Sequence, residues 1–119
     1  MKIAKLMMVV LLVVSTIPAY AQSASQIKKL AGTGAQMLGG TARIATDICK
    51  IDQGLIASYK ERARTSYAAD INFERNWSIG WNDQQNVVDN IMTLKTNNPG
   101  EYRLQKTELC AAISDEMQP

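Results

Sequence analysis

The sequence predicts an all-α fold: a compact bundle of four to five helices stapled by one disulfide. Two observations predict it. Apolar residues recur at three- and four-residue spacings through almost every segment after residue 22, the period of a helix with one buried face. Helix-start and helix-stop residues punctuate these segments at intervals that leave short connections.

Ser23, with Gln26 three residues on, is a capping-box signal ahead of Ile27, Leu30, Ala31, Met37 and Leu38. Gly32, Gly34, Gly39 and Gly40 interrupt this first helix, each weakening it by up to about 1 kcal/mol relative to Ala. It is therefore expected to be the loosest element and to break at Gly39-Gly40. From Thr41 to about Ala69, Ile44, Ile48, Ile51, Leu55, Tyr59 and Ala63 form a longer stripe, and Gly54 is a candidate bend. Lys60, Arg62 and Arg64, interleaved with Glu61, read as a solvated helix face.

Residues 71–81 fit two periods. Ile71, Phe73, Trp77, Ile79 and Trp81 alternate as in a strand, while Phe73, Trp77 and Trp81 also share one helical face. No other segment offers a strand partner, and an isolated strand is marginal, so helix is expected. Asn82-Asp83 is the next N-cap signal, before Val87, Val88, Ile91 and Leu94. Asn98, Pro99 and Glu101 then open a last helix that carries Tyr102, Leu109, Ile113 and Met117, with Cys110 beside them.

Residues 1–21 have the layout of a cleaved secretory signal: Lys2 and Lys5, the apolar run from Leu6 to Val14, and the small-x-small site Ala19-Tyr20-Ala21 before Gln22. That run is shorter than the roughly 20 residues needed to span a bilayer. The expected product is a single helical domain, residues 22–119, periplasmic or secreted. In such a compartment thiols oxidise, so Cys49 and Cys110, the only two cysteines, are expected to pair and to staple the long second helix to the last one.

Without Lys2 and Lys5 the 13 basic residues fall to 11, equal to the 11 acidic ones. A formally neutral chain has little long-range attraction for nucleic acid or for an anionic membrane, and slightly favours self-association. The expected partner is therefore another protein, with a homodimer possible and with neither nucleic acid nor, after signal cleavage, membrane.

There is no histidine, which excludes Ser-His-Asp, Cys-His and His-metal chemistry. Two cysteines without histidine do not assemble a zinc site, and the glycine pairs fit no phosphate-binding loop. The glycines read instead as places where helices pack closely or turn. Asp115-Glu116, the one adjacent acidic pair, lies at a helix end, a poor place to hold two carboxyls for glycoside cleavage. Asp47 and Asp52 flank Cys49 with Arg43 and Lys50 nearby, an arrangement suited to surface ion pairs. Neither a catalytic residue, a cofactor nor a metal is expected.

What remains is an aromatic cluster: Tyr59, Tyr67, Phe73, Trp77 and Trp81. In a small domain Trp and Phe usually fill the core. One helical stripe cannot bury every ring, however, and Arg beside exposed aromatics matches interface hot-spot composition. Tyr67, Phe73, Arg75, Trp77 and Trp81 are accordingly the candidate partner-binding residues, with the Gly-rich first helix as the next place to look. In layout (cleaved signal, about 100 residues, one cysteine pair) the chain resembles the small periplasmic all-helical immunity proteins paired with type VI secretion amidases. The likeness is one of plan, carried by no motif. It implies a non-catalytic inhibitor or immunity-type protein that binds a partner enzyme. The alternative is a periplasmic chaperone or an accessory component of a secretion or conjugation machine. An enzyme is the least expected.

Overall fold

A computed structural model describes residues 23–119; the expected signal segment, residues 1–21, lies outside the described residues. Five helical segments follow one another: α1 (Ala24–Asp47), α2 (Gln53–Ser66), α3 (Phe73–Asp83), α4 (Gln85–Asn97) and α5 (Pro99–Met117). Among the described residues there is no strand, and no helix is long and apolar enough to cross a membrane. Residues 71–81 are accordingly helical from Phe73 onward. The all-α class stands, and so does the Cys49–Cys110 bond, with Cα atoms 5.5 Å apart.

Two caps form as the local sequence dictates. Ser23 Oγ accepts from the Gln26 N–H at 3.3 Å while the Gln26 side chain accepts from the Ser23 N–H at 2.9 Å, the reciprocal capping box. Asn98 Oδ1 accepts from the Glu101 N–H at 3.3 Å, with Pro99 opening α5. Asn82 and Asp83, in contrast, lie inside α3, and the N-cap of α4 is Gln84, which makes no side-chain cap hydrogen bond.

The expected boundary between the first two helices is corrected. α1 passes unbroken through Gly39 and Gly40 and ends at Asp47. It contributes more buried residues than any other helix, so it is central to the bundle. Its glycines face α3 and the segments that flank it: methyl groups added at Gly39 and Gly40 would overlap the Trp77 carbonyl and the Gln84 side chain. The cost of glycine in a helix is offset by this close approach. The stripe from Thr41 to Ala69 is instead cut at residues 48–52. There Lys50 takes the left-handed conformation (φ 53°), the Ile51 N–H reaches back to the Ala45 carbonyl at 3.0 Å, and Asp52 caps α2 by accepting from the Gly54 and Leu55 N–H groups. Asp52 is thus a cap, while Asp47 does pair with Arg43 at 2.5 Å. The disulfide consequently joins the α1–α2 turn, not a helix, to α5.

Lysine gains nothing from its positive φ here, and for L-residues that region costs about 1–2 kcal/mol. Lys50→Gly is therefore expected to raise stability, by about 1 kcal/mol once the greater freedom of glycine in the unfolded chain is subtracted. A thermal melt checks this; an unchanged or lower Tm would contradict it.

The core gathers Ile44 and Ile48 of α1 and its cap, Ile56 and Tyr59 of α2, Trp77 of α3 and Met117 of α5. α4 and α5, joined through Asn98, pack on each other around Val88 and Tyr102, and α5 then returns to the core through Ile113 and Met117. Arg62 fastens that return by donating to the Met117 and Gln118 carbonyls at 2.6 and 2.9 Å, a cationic cap on a helix C-terminus. Tyr59 donates to Glu116 at 3.0 Å. Burial, together with that carboxylate, pushes the Tyr59 phenol above its ordinary range.

Candidate protein-docking site

The corner between α2 and α3 is built by a short connector, residues 67–72. Asp70, 9% exposed, organises it. Its carboxylate accepts from the Asn72 N–H and from Asn76 Nδ2, both at 2.9 Å. Asn76 in turn accepts from Gln36 of α1 at 3.0 Å. The turn is therefore tied to α1 and α3 together, its buried polar groups satisfied by one another. At the other end of the connector the Tyr67 ring lies against Gly34, where a methyl group would overlap it.

With both ends held, Ile71 is left 80% exposed. Beside it opens a cleft of about 510 Å3, lined among others by Arg64, Ala68, Asp70, Phe73 and Arg75. Glu74 binds both Arg64 and Lys60, and these cations hold its carboxyl below the usual range. Arg75 is exposed and forms no ion pair among the described residues. The corner thus presents an apolar side chain, a guanidinium and the partly covered Tyr67 ring on a braced turn.

The candidate aromatics divide. Phe73 and Trp77 are 5% and 6% exposed, their ring centroids 5.8 Å apart, with Tyr59 6.2 Å from Trp77. They are core residues, although Phe73 also lines the cleft. Trp81 is partly buried beneath the Arg43 guanidinium, 5.6 Å from its ring, and Arg43 donates to the Trp81 carbonyl at 3.1 Å. Tyr67 and Arg75 reach the corner surface; Trp77 and Trp81 do not line its cleft. The reason is rotational. The face of α3 that carries residues 73 and 77 turns into the core, where Tyr59 and Lys60 of α2 lie against Trp77, and Arg75 lies between them on the opposite side.

The basic run of α2 is likewise not merely solvated: Lys60 lies over Trp77, Arg62 over Tyr59 and Arg64 over Phe73, at 5.6, 5.9 and 4.8 Å. These cations cover the open edges of the aromatic core. Sequence reasoning missed Ile71 as a surface residue, although an isoleucine between Asp70 and Asn72, where a turn calls for polar side chains, is itself the signal. No group of three or more potential metal ligands comes together among the described residues.

Fold and site together define a disulfide-stapled all-α domain with one braced, mixed apolar and cationic corner. No protein-family model, curated protein or solved structure matches the chain.

Proposed function

We propose that this is a small exported, non-catalytic protein-binding domain of a bacterial-type cell envelope, an inhibitor or immunity-type protein that blocks a partner enzyme through the α2–α3 corner. The observation that supports this reading is Ile71: a large apolar side chain held in solvent by a turn whose own polar groups are bonded inward. A preorganised apolar anchor beside an unpaired arginine loses little freedom on binding. The disulfide supports export, because such bonds persist in oxidising compartments.

The test is to co-express the protein with a hydrolase encoded next to it and to measure both protection and affinity. Ile71→Asp and Arg75→Ala are each expected to weaken binding by about 2 kcal/mol, roughly thirtyfold, with no change in Tm. Phe73→Ala and Trp77→Ala are expected instead to lose about 3–5 kcal/mol of stability. Wild-type affinity in both surface variants would defeat the assignment of the corner. Absence of any protection by the wild-type protein would defeat the inhibitor reading itself.

A further inference from the structure

We infer that the projecting end of α1 is a contact surface for an anionic phospholipid bilayer. Residues 23–30 are all exposed, so the first turns of α1 extend past the body of the bundle. On one side of this end Ile27 and Leu30 stand 47% and 60% exposed, and Met37, two turns beyond Leu30, is 68% exposed. Between Leu30 and Met37 lies Gly34, covered by the Tyr67 ring, which continues the apolar strip. Lys28 and Lys29 lie across the helix from it, on the polar face, about 130° to either side of the Ile27–Leu30 line, and α1 contains no acidic residue before Asp47. The formal neutrality of residues 22–119 therefore conceals a local segregation of charge: this end is apolar and cationic.

An apolar strip backed by a polar face that carries lysines and no carboxylate is the arrangement of a helix that lies in the interfacial plane, its apolar side chains among the acyl chains and its ammonium groups at the level of anionic headgroups. A second copy of this chain meets that chemistry less well, because the facing α1 brings no carboxylate to Lys28 or Lys29 until Asp47. The strip shares the Tyr67 ring with the α2–α3 corner, but Ile71 and Arg75 are not among its residues, so variants at those positions and at Leu30 separate the two readings.

The test uses protein purified from the periplasm, its intact mass confirming the loss of residues 1–21, co-sedimented with vesicles of phosphatidylglycerol and phosphatidylethanolamine or of phosphatidylcholine alone. At low salt, partitioning onto the anionic vesicles is expected to exceed that onto the neutral ones about tenfold, and to fall as salt is raised. Exchanging both lysines, Lys28→Glu with Lys29→Glu, removes that preference; Leu30→Glu removes binding to both vesicles. All of these side chains are exposed, so the variants are expected to melt with the wild type, and Ile71→Asp is expected to bind vesicles normally. The inference is overturned by no binding to anionic vesicles, by equal binding to both kinds, or by Leu30→Glu binding as well as wild type. It is also overturned if sedimentation equilibrium shows a dimer that Leu30→Glu dissociates while vesicle binding is absent.

Discussion

Cys49→Ser is expected to melt roughly 20 °C below the wild type, the effect of losing about 4 kcal/mol from a domain of this size. The bond closes a loop with a sequence separation of 61, and in the chain-entropy model that closure alone removes about 4 kcal/mol of freedom from the unfolded chain. The total stability of such a domain is about 5–10 kcal/mol, so the bond decides whether the bundle survives warming. Its position adds to the effect. Cys49 lies in the turn where Lys50 reverses the chain, and Cys110 lies where α5 comes back onto the core, both packed against buried side chains. Without the link, α5 is held to the rest of the bundle by the contacts around Ile113 and Met117, the Tyr59–Glu116 hydrogen bond and the Arg62 cap. Adding reductant to the wild type is expected to reproduce the shift. Equal melting of Cys49→Ser and wild type, or native protein carrying two free thiols by mass mapping, would refute the expectation.

Gly80→Ala is expected to cost about 3 kcal/mol, at the upper end of the usual overpacking range, and to lower Tm by roughly 15 °C. A methyl group at Gly80 would run into the Gln36 carbonyl of α1, and one at Gly39 into the Trp77 carbonyl of α3. The obstacle in each case is backbone of the facing helix and cannot rotate aside, so relief requires the two helices to separate. Separation opens the core around Trp77 and Ala42 and strains the Gln36–Asn76–Asp70 network that braces the α2–α3 corner. Gly39→Ala is accordingly expected to behave in the same way. Gly100→Ala is the opposite case. Its added methyl group would meet only the Asn98 side chain, at 3.9 Å, so the better helix propensity of alanine is expected to raise stability by up to about 1 kcal/mol. Circular-dichroism melts of the three variants decide the matter. Equal effects at Gly80 and Gly100 would show that the close crossing of α1 and α3 does not carry the fold.

The same crossing explains where local reasoning succeeds and where it fails. Caps at Ser23 and Asn98 form because each is satisfied by groups within three residues, and the residues that make a cap are all present in the local sequence. The turn at residues 48–52 is hidden because Ile44, Ile48, Ile51 and Leu55 keep a three- and four-residue rhythm across it; a short turn between two helices that bury neighbouring faces does not disturb the count. The α2–α3 corner is half legible in the sequence. Tyr67 and Arg75 belong to it, but Ile71 is singled out only when the inward hydrogen bonds of Asp70 leave it in solvent, and Trp77 leaves the set only when Tyr59 and Lys60 close over it.

Helix content, the pairing of Cys49 with Cys110 and the aromatic weight of residues 59–81 follow from the sequence by itself, since they depend on periodicity, on cap chemistry and on there being only two cysteines. Tertiary structure alone decided that Gly39 and Gly40 continue a helix instead of ending it, and which aromatic rings face inward. The helical cost of a glycine, up to about 1 kcal/mol, is set locally. The packing that outweighs it comes from Trp77 and Gln84, residues brought to the site by a different part of the chain.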